Sequence, residues 1–444
     1  MLQLSDKIHI GLLAKLEPKK VLLLGDLILD MYSYGQVARV SPEAPIQILQ
    51  IEKETYLPGG AGNVAINLAG LGCTVYLCTR LGQDAVGDQL KSLLETNGGG
   101  LIDTSSVFFQ SDLNTPLKNR LIASGQQLLR LDKEKKCAMS ESVRSQVLSR
   151  ALHLLPQVDI VAISDYGKGA IDRELLEPIF SAAKLLNIPV IVDPKSKDFS
   201  LYQGATLIKP NFKEALDACG KELSNLDEIF LSLKTKYEDL GHLIITRSQD
   251  GLSLLTQDKR RIDFPALSTG EVVDVTGAGD CVLAALVHGL SCNLTLEECC
   301  LLAGIAGSLA VKKVGCVCLS LKDLAWQMLR LDIYNKVFDS THIFALKEAC
   351  RNEVVHIMRV NKQDIEKLDC LISLKRYRQA ISEGLMLVQV KAQELEYEIF
   401  DLIIQQPGID LVILSEETYW SYPTFSALYV LDWIEGNWQK TILK

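Results

Sequence analysis

The sequence predicts an α/β protein whose main domain is a parallel sheet with helices on both faces. From about residue 141 onward, helical stretches alternate with short apolar runs: VDIVAISD (158–165), IPVIVDP (188–194), ATLIKPN (205–211) and HLIITRS (242–248). A β-α-β-α order of this kind implies parallel pairing. Two β-prone segments, near 31–57 and 105–131, break the rhythm and are read as a small sheet standing off the main domain, a lid over a site. Ligands of open parallel sheets bind at the carboxyl ends of the strands. Here those ends carry Asp26, Asp165, Asp193, Asn211 and Thr246.

In chain order, VLLLGD (21–26) is the first strand, a continuous apolar run ending in Gly-Asp. The lid's first piece, MYSYGQVARVSPEAPIQILQIEKETY, is rich in turn signals. A small-residue helix is expected over 63–72, with TVYLCTRLG after it as one strand. SSVFFQ and LKNRLIASGQQLLRLD make the lid's second piece, and the alternating pattern follows. The rhythm loosens past residue 320, so a boundary is placed near 330, giving domains 1–330 and 331–444.

Composition narrows the function. With 48% hydrophobic and 23% charged residues the chain reads as globular. A net charge of -9 argues against a nucleic-acid partner. MLQLSDKIHIGLLAKLEPKK lacks the parts of a signal peptide. The longest apolar runs are interrupted by His288, Gly304 and Gly307. No membrane partner and a cytosolic location are expected. The 12 cysteines include no CxxC, and Cys299/Cys300 and Cys316/Cys318 read as buried free thiols. None of the six histidines pairs with a serine or cysteine nucleophile in a known pattern.

Three motifs carry chemistry. In DVTGAGD (274–280), Gly277, Ala278 and Gly279 let backbone N–H groups approach a ligand, and the apolar helix behind them adds its positive end. Asp280 stands beside that anion site as a base for a hydroxyl proton. A glycine turn with an aspartate in a helix's first turn is the plainer alternative. In PGGAGNVAINLAGLG (58–72), Gly60, Gly62 and Ala65 satisfy the dinucleotide fingerprint. The polar, proline-bearing LQIEKETYLP before it is unlike a buried strand, and a glycine pair with Asn63 suits sugar hydroxyls. In KPNFKEA (209–215), Asn211 and Glu214 share one side of a helix start and could hold Mg²⁺ through water. A capping box explains the same spacing. No P-loop is present.

Together these motifs resemble the ribokinase (PfkB) family of sugar kinases. GDLILDMYSYG, ARVSPEAP, NRLIASGQQLLRLD, ISDYGKGAI, DPK, KPNFKEA, TRSQDGLSLL and DVTGAGD are similar to its heptose 7-phosphate kinase branch over about residues 18–325. The resemblance implies a ribokinase-like sheet sandwich with the β lid, often dimeric through it. It also implies ATP with Mg²⁺ as the phosphoryl source. Asn211, Phe212, Lys213, Glu214, Thr246, Arg247 and Gly251 would bind the nucleotide, with Glu214 toward the Mg²⁺. Asp280 would deprotonate the anomeric hydroxyl, and the N–H groups of 277–280 would take the developing charge. Asp30, Gly59, Gly60 and Asn63 match sugar-contacting positions; Arg39, Lys118, Arg120 and Lys195 are candidates for the sugar's 7-phosphate. Asp274 and Thr276 match a monovalent-cation site, for K⁺.

The tail resembles a nucleotidyltransferase often fused to such kinases, in degenerate form. NKVFDSTHIFALKEA keeps Asn335, Phe338, Asp339 and His342. Lys336, Phe344 and Ala345 replace two glycines and a phosphate-contacting histidine, and SEETY stands where GGDY is usual. A smaller, inactive α/β domain is expected. The competing readings are a kinase for another sugar or nucleoside, an NAD-dependent dehydrogenase and a non-catalytic sugar-binding protein.

Overall fold

The computed structural model describes residues 12–331, except 14, 221, 222, 224, 238, 259, 268–271, 313 and 314. Of the C-terminal region it describes 354–365, 368–381, 385–391, 411–414, 427–434 and 437–440. The chain divides into two compact units, Leu16–Ser320 and a second formed by Leu321–Lys444 with Met1–Lys15. The division falls at 320 rather than near 330.

In the larger unit the first strand, Lys20–Gly25, lies inside the sheet and is buried at every residue but the first. Such a run suits a parallel strand covered on both faces. It pairs in parallel with Ile160–Ser164 on one side and Thr74–Leu77 on the other. Val190–Asp193, Leu207–Ile208 and His242–Thr246 continue the parallel sheet outward. Leu252–Leu255 and Arg261–Phe264 then add an antiparallel edge that the sequence reading did not separate from the parallel sheet. With Ile102–Asp103, nine strands are paired among the described residues. The connecting helices start at side-chain caps: Asp84, Ser140, Asp172, Asn211, Asn225 and Thr295 each accept an N–H of the first turn.

The lid is a separate four-stranded sheet, ordered Gln47–Gly60, Leu27–Val40, Leu117–Ala123, Gln126–Lys133. Its last two strands turn at Ser124 and Gly125, both at positive φ (50° and 77°), as a two-residue hairpin requires. The expected lid segment 105–131 needs correction. Val107–Gln110 does not join the lid but pairs with Thr79–Gly82 in a two-stranded sheet. TVYLCTRLG is accordingly two strands. Cys78 N–H still donates to Leu23 of the main sheet, whereas Thr79 N–H donates to Ser106. The Thr79 hydroxyl pins the switch by donating to the Gly25 carbonyl at 2.6 Å.

Cys299 and Cys300 are buried free thiols, and burial pushes Cys299 up to about 12. Cys318 is exposed, contrary to expectation, and Cys316 is half-buried. Among the described residues no helix is long and apolar enough to cross a membrane.

The smaller unit is also α/β. Val354–Asn361 lies between Leu385–Lys391 and Ala427–Ile434, all parallel, with Leu411–Leu414 parallel beyond and Asn437–Lys440 antiparallel at the edge. Met358, Val360, Leu374, Val388 and Trp433 form its core with the helix Leu368–Ala380. Asn335, Lys336, Phe338, Asp339, His342, Phe344, Ala345 and the SEETY stretch lie outside the described residues.

Candidate active site

Two of the larger unit's described α-helices begin without a side-chain cap. Ala61–Gly70 starts at Gly60 (φ 58°) and Ala278–Ser291 at Gly277 (φ 75°). No side chain accepts their first N–H groups, whereas the connecting helices satisfy theirs internally. A helix start without a side-chain cap leaves N–H groups and a positive dipole end suited to an anion, although Ala61 N–H donates to the Asp26 carbonyl and Ala278 N–H to that of Val275. Neither glycine tolerates a Cβ. At Gly277 it would lie 2.6 Å from Asn63 Nδ2, and at Gly60 2.5 Å from the Asp26 carbonyl oxygen.

Asp280 enters from the first turn of the second of these helices and is 2% exposed. Asn63, from the first turn of the other, donates its Nδ2 to Asp280 Oδ2 at 2.7 Å. The Tyr166 hydroxyl donates to Oδ1 at 2.6 Å. Burial raises the Asp280 carboxyl to about 6, against the pull of these two donors and the Lys209 ammonium. The group is thus mostly ionised at neutral pH and basic enough to accept a proton. Lys209 is 3% exposed and pairs with Asp193 Oδ2 at 2.9 Å. A Cβ on Gly279 would sit 3.8 Å from its Nζ, which places that ammonium beside the start of the Asp280 helix. Burial drives Asp193 upward against the pull of Lys209.

Of the residues expected to meet the sugar, Asp30 and Gly59 stand at the root of the lid. Asp30 is paired with Arg120 in a nearly buried ion pair, the side chains 7% and 10% exposed. A Cβ on Gly59 would collide with Asp30 Oδ2 at 2.0 Å, so glycine is what lets that carboxylate face the site. Lys118 Nζ lies 5.8 Å from the Tyr166 ring centroid. Arg39 stands apart, exposed near the far end of the lid hairpin opposite Ile48. Lys195 pairs through its Nζ with Glu214 Oε1 at 2.9 Å, and its side chain runs beside Gly167.

A cleft of about 700 Å³ is lined by Asn211, Phe212, Lys213, Thr246, Arg247 and Asp250, among others. Gly251 (φ 84°) shapes its rim, its carbonyl accepting Arg247 N–H at 2.8 Å. The capping box is formed: Asn211 Oδ1 accepts Glu214 N–H at 2.9 Å, and Glu214 Oε2 accepts Asn211 N–H at 3.0 Å. Both Glu214 oxygens are therefore engaged, and a divalent ion fits there only through water. Among the described residues there is no group of three or more His, Cys, Asp or Glu side chains that could hold a metal ion. Asp274 accepts Thr276 N–H and hydroxyl on Oδ1 (2.9 and 2.8 Å) and Gly315 N–H on Oδ2 at 2.8 Å. Burial opposes its ionisation, yet these donors hold its carboxyl below the usual range.

The sequence reading gave no role to Tyr166, Lys209 or Arg80. Arg80 is 4% exposed and clamps the 166–170 loop, donating to the carbonyls of Gly169 (2.9 Å), Ala138 (2.8 Å) and Cys137. Asp26, read only as a strand end, accepts the N–H groups of Tyr166, Lys168 and Ala170 at 2.9–3.0 Å. A tyrosine directly after a strand-end aspartate was the one local signal available.

The pfkB family carbohydrate kinase profile matches residues 19–322. The bifunctional protein HldE of Geotalea uraniireducens is 38% identical over 298 residues, 67% of this chain and 60% of that protein. HldE of Campylobacter fetus is 41% identical over 298 residues, 66% and 63% of the two chains. The chain thus matches less than two thirds of the length of these curated relatives. Among solved structures, Arabidopsis thaliana ribokinase complexed with ribose and ATP aligns with a TM-score of 0.56 at 21% identity, covering 70% of this chain and 99% of that one. Escherichia coli phosphofructokinase-2 in complex with potassium aligns with a TM-score of 0.58 at 22% identity, covering 71% and 99%. These structures speak for the fold, which is ribokinase-like. With the profile spanning both uncapped glycine helices, the lid and Asp280, the chain belongs to the pfkB family of carbohydrate kinases.

Proposed function

We propose that this kinase transfers the γ-phosphoryl group of ATP to the anomeric hydroxyl of D-glycero-β-D-manno-heptose 7-phosphate. The products are the 1,7-bisphosphate and ADP, and the use is ADP-heptose supply for lipopolysaccharide cores. The observation that carries the chemistry is Asp280, a buried carboxylate raised to about 6 at the start of an uncapped helix. The choice of acceptor rests on the likeness to HldE proteins.

Asp280 takes the hydroxyl proton as the sugar oxygen bonds to the γ-phosphorus and the bond to the ADP oxygen breaks. The N–H groups of 277–280 then stabilise the charge gathering on the phosphoryl oxygens. Asp30, Gly59, Gly60 and Asn63 orient the sugar ring. Lys118, with Arg39 when the lid closes, meets the 7-phosphate, while Arg120 holds Asp30. Asn211, Phe212, Lys213, Thr246, Arg247 and Gly251 hold the nucleotide, and Lys195 serves at that end through Glu214. Glu214 would hold Mg²⁺ through water, and the ion would supply charge to offset the phosphates. Asp274 and Thr276 would hold K⁺.

Leu128 (43% exposed), Leu129 (53%) and Leu131 (49%) on the lid support a homodimer through it, and the reaction belongs in the cytosol, where ATP is. The tail is a degenerate nucleotidyltransferase-like module without turnover. The test measures ADP release from Mg-ATP with heptose 7-phosphate, ribose, fructose 6-phosphate or adenosine as acceptor. Heptose-dependent release with a 1,7-bisphosphate product supports the reading, and release only with another acceptor replaces the substrate. ADP-heptose formed by the full chain from heptose 1-phosphate and ATP would overturn the reading of the tail.

A further inference from the structure

Tyr166 lies on neither glycine motif, yet its hydroxyl makes one of the two bonds to Asp280. Its loop is held from three sides. Asp26 accepts its backbone N–H at 2.9 Å and those of Lys168 and Ala170 beyond it. Arg80 grips the Gly169 carbonyl at 2.9 Å, and Asp165 Oδ1 accepts Gly167 N–H at 2.7 Å. A loop fixed this firmly presents the phenol at one point, 2.6 Å from Asp280 Oδ1. Phenylalanine would fill the same volume, so the hydroxyl is what needs explaining.

We propose that Tyr166 is a positioning residue for the base: its hydroxyl, donated to Asp280 Oδ1, fixes the carboxylate's orientation and holds it ionised for the acceptor hydroxyl. The phenol itself stays protonated, because burial and the neighbouring Asp280 charge push it well above its ordinary value. It therefore only donates, and a donor binds a carboxylate more strongly than a neutral acid. With Asn63 on Oδ2, each carboxylate oxygen keeps a lone pair for the proton arriving from the sugar.

Other groups face Asp280 from every side. Asn63 comes from the first glycine helix, Lys209 and Asp193 from the ends of their strands, Asp30 from the lid and Cys316 from the segment after the helix Leu296–Ala310. Lys209 favours the charged form and Asp30 opposes it. Tyr166 acts together with Asn63 and Lys209 against the burial that would otherwise neutralise the base.

This inference rests on Asp280 being the base, so the experiment separates the two. Rates with Mg-ATP and heptose 7-phosphate are measured from pH 5 to 8.5 for wild type, Y166F and D280N. The expected result is an acid limb displaced upward by about one pH unit in Y166F, with plateau turnover within about tenfold of wild type. Comparing the two profiles cancels the sugar phosphate's own titration. A uniform loss at every pH with an unmoved limb would mean that Tyr166 only packs, and the inference fails. If Y166F does not fold, 3-fluorotyrosine at 166 keeps the shape and is a stronger donor. The limb must then move downward, and an unmoved limb overturns the inference. Near-normal turnover in D280N would instead remove the base itself, and with it the mechanism above. An NMR titration of the Asp280 carboxyl in the ligand-free protein, with D280N identifying the resonance, reads the Tyr166 effect without turnover.

Discussion

Asn63 and Asp280 meet at 2.7 Å although 217 residues separate them in the chain. The two glycine motifs are therefore one device. Each opens a helix that lacks a side-chain cap, and the amide on one orients the carboxylate on the other. Neither half forms the site without the other.

The base is the first point to test. Replacing Asp280 by Asn keeps the shape and removes the proton acceptor. Turnover is expected to fall by about 10²–10⁴-fold, with circular dichroism unchanged. ADP release in a coupled assay reads this directly, and near-normal turnover would assign the proton transfer elsewhere.

The same carboxyl imposes a pH dependence on stability. Burial raises it from 3.8 to about 6, so in this interval the folded protein holds a proton that the unfolded chain has released. Its stabilising contribution is complete below pH about 4 and is lost as pH rises through about 6. D280N does not titrate, so its unfolding midpoint should gain on wild type between pH 5 and 7.5. Any offset from altered hydrogen bonds is independent of pH. Midpoints that run parallel across this range would contradict the raised value.

Gly277 links backbone shape to chemistry. Its φ of 75° costs an alanine about 1–2 kcal/mol, and the new Cβ would press on Asn63 Nδ2. G277A is expected to lower turnover by roughly 10²–10³-fold, comparable to loss of an oxyanion-hole donor. ATP affinity in the cleft around Phe212 and Thr246 should change little. Equilibrium binding beside turnover measurements distinguishes this from general unfolding.

The lid's ion pair should be costly to break from one side. R120M leaves the Asp30 carboxylate buried and unpaired, which costs about 3–5 kcal/mol. The double variant D30N/R120M should recover part of that stability while remaining poor in sugar binding. Denaturant midpoints of the four proteins form the cycle, and strict additivity would mean that the pair does not interact.

Much of this site was legible because its motifs are local. DVTGAGD and PGGAGN announce glycine-opened helices, and both helices begin within two residues of where those glycines end the strand or loop before them. KPNFKEA announced a capping box, which forms. Lys195 was harder to assign, because its partner Glu214 lies on another strand's connection and only the sheet order brings them together. The path of 105–110 was hidden for a similar reason. VFFQ has the composition of any β-strand, and whether it joins the lid or Thr79–Gly82 depends on where Cys78 leaves the main sheet. Tyr166 and Arg80 belong to no periodic pattern, and their roles exist only through residues 30 to 140 positions away.

The lid is built like a cantilever. Its long hairpin is clamped at the root, where Leu27 pairs with Gly60 and Ala61 N–H donates to the Asp26 carbonyl at 3.0 Å. Its pairing is irregular only farther out, between Tyr34 and Gly35 and between Val37 and Arg39. Bending concentrates where a ladder is interrupted. Asp30 and Gly59 therefore sit where the ladder is unbroken, whereas Arg39 lies beyond both interruptions.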